Sequence, residues 1–143
     1  MRTLFLSLAM VALPVTAIAG TSLVDTKALP SQQAHDVVQL TPLARAASGA
    51  TAVALLDIGN GTVVPPHAST GAVRLLSVLA GEMSWGEGST IDETLETVYP
   101  AGSILAIAPG ADHWLAARSG DVRLQMIVLD DETPVPGILE QMQ

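Results

Sequence analysis

From Gly49 onward the chain is divided into short apolar segments, each closed by a turn that contains glycine or proline. Turns of this kind stand at Gly59-Asn60-Gly61 and at Pro100-Ala101-Gly102. Segments of about four to eight residues, rich in valine, leucine and isoleucine, are typical of strands. Many such strands at close intervals predict an all-β sandwich or closed barrel. A helix is predicted only near the C-terminus, over Pro136 to Gln143.

Residues 1–19 have the layout of a secretory signal peptide. Arg2 supplies a positive start, Leu4 to Val15 is almost wholly apolar, and Ala17-Ile18-Ala19 has the small-x-small pattern that precedes cleavage. The apolar run is short for a bilayer span and is interrupted by Pro14, which disfavours an uncleaved anchor. We therefore expect cleavage between Ala19 and Gly20 and a periplasmic or secreted protein without a stable membrane anchor.

Cleavage would leave 143 − 19 = 124 residues and, since Arg2 is removed, change the formal charge from −8 to −9. This balance argues against nucleic acid and anionic membranes as partners. The chain has no cysteine, so an exported form has neither disulfides nor a lipid on an N-terminal cysteine. An apolar core and hydrogen bonds must hold the fold, and a chain of this length can bury a sizeable core.

Composition divides the mature chain into an arm (residues 20–45), a barrel (residues 46–131) and a C-terminal tail (residues 132–143). The arm is polar and punctuated by proline, with one candidate strand over Asp36 to Leu40. That strand could lie along the barrel or pair with a second subunit. His35, next to it, is expected to be exposed.

Two segments of the barrel region carry a family resemblance. Gly61 to Ser69 has a glycine, an extended stretch and His67, and the strand that follows ends at Gly81. Pro100 to Trp114 has a glycine, a strand, a Pro-Gly turn and then His113. This pairing resembles the two motifs of the cupin superfamily, in its small single-domain, type-2-like form. The resemblance implies a cupin-type double-stranded β-helix, a jelly-roll barrel, with a short C-terminal helix or tail.

The metal-binding pattern of the family is only half present. Cupins typically show an HxH pair, a glutamate and a third histidine, whose imidazole and carboxylate groups bind a divalent first-row metal. Here Ser69 replaces the second histidine, and the glutamate position falls on Val73 or Arg74. His67 and His113 remain, and this pair alone could hold Fe, Mn, Zn or Ni only weakly.

The residues at these motif positions predict a ligand site inside the barrel. His67, Ser69, Arg74 and His113 are its candidate members. An inward Arg74 would match a carboxylate with two parallel hydrogen bonds, whereas an outward Arg74 would pair with an acidic neighbour. A register change of one residue decides between the two. We expect the barrel to bind a small organic ligand, an anion if Arg74 points inward, without catalytic metal.

Two other functions remain open. One is a metal-dependent cupin enzyme of the oxygenase or isomerase type on the reduced site of His67 and His113, or a metal-free enzyme with His113 as general base. The other is a non-catalytic interaction protein. The resemblance implies a homodimer, for which the arm Thr21 to Leu40 is a candidate swapped segment. The sequence has no cysteine nucleophile and no GxSxG, P-loop or dinucleotide motif.

The two tryptophans are expected to have different surroundings. Trp114 directly follows His113, so on a regular strand it faces away from the site. It is therefore a candidate for packing or for a subunit contact. Trp85 could line the barrel mouth or pack in the core.

Overall fold

The structure is a computed structural model that describes residues 20–130 and 133–143. The predicted signal peptide lies outside the described residues, so its cleavage stays a prediction. No helix in the described part of the chain is long and apolar enough to cross a membrane.

The described residues form two antiparallel sheets, as the turn-punctuated pattern predicts. The strands are β1 (Gln32–Ala34), β2 (Val38–Arg45), β3 (Thr51–Ile58), β4 (Val63–His67), β5 (Val73–Ala80), β6 (Glu82–Glu87), β7 (Thr97–Pro100), β8 (Ile104–Ile107), β9 (His113–Ala116) and β10 (Val122–Leu129). One sheet has the order β1-β2-β3-β10-β5-β8, and the other has the order β4-β9-β6-β7. Short 3-10 turns span Thr26–Ala28 and Glu93–Leu95, and one helix, α1, spans Pro136–Gln141. The predicted jelly-roll class with a short C-terminal helix is confirmed.

The core lies between the two sheets and is mainly aliphatic. Ile58, Val64, Met83 and Leu124 are almost completely buried there, on strands from both sheets. Full burial of such a side chain contributes about 1.5–3 kcal/mol. Apolar packing therefore holds the two sheets of the described chain together, and strand pairing holds each sheet.

The candidate strand of the arm lies along the barrel, one of the two placements that the sequence left open. β2 pairs antiparallel with β3 along its length, with Thr41 opposite Leu55, and both of these residues are buried. Part of the predicted arm is thus a strand of the larger sheet, and it is longer than the strand expected over Asp36 to Leu40. Pro42 does not end the strand, because the register of β2 against β3 shifts between Pro42 and Ala44. A proline, which has no N–H to donate, is tolerated at such an irregularity.

Candidate functional site

Strand connections bring three of the predicted site residues to one end of the barrel. β4 ends at His67, and the following loop leads directly into β5, where Arg74 is the second residue. His113 begins β9 and is the cross-strand partner of His67. Val128, on β10, pairs with Arg74 in the larger sheet. The sheets therefore place both imidazoles and the guanidinium around the same opening.

A cavity of about 360 Å³ occupies this region, and His67, Arg74 and His113 all line it. Arg74 thus points inward, which selects one of the two orientations left open by the sequence. Ser69 is buried, but it is not among the lining residues, and its hydroxyl has no hydrogen-bond partner in the described structure. The neighbouring Thr70 lines the cavity instead.

Backbone carbonyls fix the tautomer of both motif histidines. Nδ1 of His67 lies 2.8 Å from the carbonyl oxygen of Pro65, and Nδ1 of His113 lies 2.8 Å from that of Ala111. Since a carbonyl oxygen only accepts, each Nδ1 carries the proton and donates. In the neutral ring, Nε2 is then left as an acceptor, ready for a ligand proton or for a metal ion.

The imidazoles form a chain of contacting rings. Trp85 stacks on His113 with centroids 4.5 Å apart and planes 12° apart, and His113 meets His67 edge-on at 4.4 Å. The Trp85 indole Nε1 donates to Glu87 Oε1 at 2.6 Å, which holds the indole plane. Trp85 therefore belongs to both the core and the cavity wall.

His35 is the residue that the sequence interpretation missed. Its ring lies 4.0 Å from that of His67, and it lines the cavity while remaining exposed on its other side. It stands in the β1–β2 turn, where Val37 N donates to Ala34 O at 3.3 Å. His35 and Asp36 have φ of 50° and 62°, as the two central residues of a type I′ turn do. The usual sequence signal for this turn is Asn-Gly, so the pair His-Asp did not predict it.

Burial is the largest influence on the pKa values of His35 and His113. Burial lowers the pKa of His113, and the charges of His67 and Arg74 lower it further, against the bond to Ala111 and the charge of Glu87. Burial also lowers the pKa of His35, with His67 and Arg74 acting in the same direction. Both rings are therefore neutral near pH 7, where each can accept a proton.

Arg74 is a half-buried cation with an unused donor. Burial lowers its pKa and the charge of Asp130 partly offsets this, but a guanidinium stays protonated at any physiological pH. Among the described residues, the Arg74 Nε has no hydrogen-bond partner. Such a donor is costly to bury and is rare in folded proteins. The cavity therefore offers a fixed positive charge with hydrogen-bonding capacity to spare.

The donor set does not fit the usual catalytic metal centre of three or four protein ligands. No group of three or more histidine, aspartate or glutamate side chains in the described chain is arranged to hold a metal ion. Glu82, a carboxylate that could have completed the set, is exposed and accepts from the Ser119 hydroxyl at 3.1 Å. Arg74 adds a positive charge beside the two motif imidazoles, which disfavours a cation.

A second concavity of about 590 Å³ lies beside the helix α1 and shares Trp85, Ile107 and His113 with the first. It is larger, but Arg74, His67 and His35 do not line it. The smaller cavity is lined by all three of these residues and is therefore the candidate site. Trp114 lies on the other face of β9, almost fully buried against Gly86, as the alternation predicts.

Comparison with known proteins supports the fold alone. No protein-family model and no curated protein matches the chain. Among solved structures, the polyketide cyclase RemF from Streptomyces resistomycificus gives a TM-score of 0.61 at 15% identity, covering 80% of this chain and 83% of that one. A predicted oxalate decarboxylase from Thermotoga maritima gives 0.59 at 14%, covering 75% and 97%. The CENP-C cupin domain of Drosophila melanogaster gives 0.58 at 13%, covering 77% and 82%.

The fold and the site together define a small cupin-fold barrel with a cavity lined by histidine and arginine. The resemblance to the cupin superfamily that the two sequence motifs suggest is confirmed at the level of the fold. The similar structures belong to proteins of different kinds, so the function depends on the residues of the site and not on the fold.

Proposed function

We propose that this chain is an exported cupin-fold protein that binds a small organic anion in the barrel cavity, without a catalytic metal. The observation that carries the proposal is the Nε of Arg74, which has no hydrogen-bond partner among the described residues and lines the same cavity as the imidazoles of His67 and His113. A carboxylate would accept from the guanidinium through short, charge-assisted hydrogen bonds. The cavity volume of about 360 Å³ lies within the usual range for small-molecule sites.

The histidines would adjust their charge to the ligand. Both His35 and His113 have lowered pKa values in the free protein, burial being the first cause. A bound carboxylate adds a negative charge beside them and raises these pKa values. Binding would therefore take up protons and would strengthen as the pH falls toward the range where the histidines are protonated.

Mature protein (residues 20–143) mixed with a panel of carboxylates is expected to show a raised melting temperature with at least one acid. A ligand at 100 times its Kd adds about 2.7 kcal/mol to the stability of the folded state. Differential scanning calorimetry measures the shift, and the amide of each acid, which lacks the charge, is the matched control. Equal shifts with acid and amide, or no shift with any acid, would contradict the proposal.

A second candidate is a reduced metal site of an enzyme, and one observation favours it. The Nδ1 bonds of His67 and His113 leave both Nε2 atoms without a hydrogen-bond partner in the described part of the chain, and metal-binding histidines adopt this arrangement. Protein purified without chelators would then contain stoichiometric Fe, Mn, Zn or Ni by elemental analysis. The His113→Ala variant would lose that metal, while His35→Ala would keep it. Wild-type protein that takes up no metal even when Zn²⁺ is supplied would contradict this second function.

Location and assembly belong to the same proposal. An N-terminal segment with the signal-peptide layout supports delivery to the periplasm or the medium. Cupin resemblance also supports a homodimer, in which the exposed part of the arm before β1 would be free for contact with a second subunit. Exposed Leu23 and Val24 lie in that part.

A further inference from the structure

The polar groups of the cavity lie in one tier at one end of the barrel. His67, His113 and Arg74 belong to this tier, because the β4–β5 loop brings the ends of the two sheets together there. The polar lining also includes His35, Thr70 and Asp130, and the negative charge of Asp130 acts on Arg74. Side chains alternate along a strand, so the residue two positions further on faces the same side. On β9 that residue is Leu115, and on β5 it is Leu76.

The next tier is entirely apolar. Leu115 is opposite Val64 on β4, and Leu76 is opposite Met126 on β10. All four side chains line the cavity; Val64, Leu76 and Leu115 are buried core residues, and Met126 is half-buried and offers the accessible hydrocarbon. Leu56 and Ile58, on β3, extend the same apolar lining. When the charged group of a ligand contacts Arg74, the remaining atoms of that ligand therefore contact apolar side chains.

We infer that the cavity takes a monocarboxylate with an apolar tail, such as a medium-chain aliphatic acid. This rests on the proposed function, in which Arg74 holds an anion. The cavity of about 360 Å³ has the volume of about a dozen water molecules at ~30 Å³ each, which suits a chain of about eight carbons. A second carboxylate at the far end would be buried among Leu76 and Leu115 without a partner, and such burial is costly.

Titration calorimetry with acetate, butanoate, hexanoate and octanoate tests the tail. Affinity should rise about fourfold for each methylene that leaves water, until the cavity is full. Suberate has the same number of carbons as octanoate and differs by its second carboxylate, so it should bind at least about 100-fold more weakly. 1-Octanol keeps the tail and lacks the charge, and it should also bind more weakly than octanoate.

The outcomes separate the tail from the anion site. If acetate and octanoate bind equally well, or suberate binds as well as octanoate, the inference fails while the proposed anion site stands. If no carboxylate binds, both fail. If 1-octanol binds as well as octanoate, the tail contacts exist but the Arg74 end does not hold the charge, and the monocarboxylate inference is overturned.

A variant within the apolar tier checks where the tail lies. Met126→Phe adds bulk to the cavity and should weaken octanoate binding about tenfold while leaving acetate unchanged. Leu79→Phe is the matched control, because Leu79 lies on β5 with its side chain exposed on the outer face. If Met126→Phe does not fold, Leu56→Phe serves the same purpose from β3. Unchanged octanoate affinity in a folded tier variant would overturn the inference.

Discussion

Replacement of Arg74 by glutamine is expected to weaken the binding of a monocarboxylate by about 10- to 100-fold. Hydrogen bonds to charged groups contribute about 1.5–3 kcal/mol each, and glutamine keeps a donor but loses the charge. Arg74→Lys should recover only part of the loss, because an ammonium cannot present two parallel donors. Titration calorimetry with octanoate at pH 7 gives the affinities of the three proteins.

The same replacement should not destabilise the free protein. Arg74 is half-buried and its Nε has no partner among the described residues, so its removal relieves a desolvation cost. We expect the free energy of unfolding, from urea denaturation, to stay equal or to rise by up to about 1 kcal/mol. A cation retained at the expense of stability is what a ligand-binding role predicts.

Arg123→Gln is the matched control for this pair of measurements. Arg123 lies on β10, next to β5, and its Nε donates to Asp57 Oδ1 at 2.6 Å on the solvent side. Loss of this partly exposed ion pair should cost up to about 1 kcal/mol of stability and leave the affinity unchanged. Wild-type affinity in Arg74→Gln, or an equal loss in both variants, would contradict the role given to Arg74.

The fold could be predicted because its signals are local. Turns at Gly59-Asn60-Gly61 and at Pro100-Ala101-Gly102 end strands whose length and composition are visible in the sequence. The exception was β2, which continues through Pro42 and makes the arm part of the sheet. Local rules treat a proline as the end of a strand, whereas the pairing partner β3 decides whether a bulge can absorb it.

The site could be predicted only where motif positions fixed the register. His67 and His113 were found because the turns around them set which side chains face inward. The orientation of Arg74 could not be predicted, since a register shift of one residue moves its side chain to the other face of the sheet. Its register is set by pairing with Ile107 and Val128, which are distant in the sequence. His35 was missed because a type I′ turn built from His-Asp has no sequence signal.

The close packing behind the site predicts the largest loss of stability. Gly86 on β6 lies opposite Trp114 on β9, and a Cβ at Gly86 would overlap the indole ring. Gly86→Ala should therefore lower the free energy of unfolding by about 3 kcal/mol, since Trp114 is almost fully buried and has little room to move. Urea denaturation at pH 7 measures this loss.

Two further variants show whether the indole is the cause. Gly59→Ala is the matched control, because its Cβ would meet only Thr62 Oγ1 at an ordinary 3.7 Å, and it should change stability by less than about 1 kcal/mol. Trp114→Leu removes the ring, so Gly86→Ala should cost much less in that background. Equal costs in the two backgrounds would mean that Gly86 is needed for another reason.

β6 and β9 also carry Trp85 and His113, whose rings stack. A methyl group added between these strands would therefore disturb the stacked pair and weaken ligand binding.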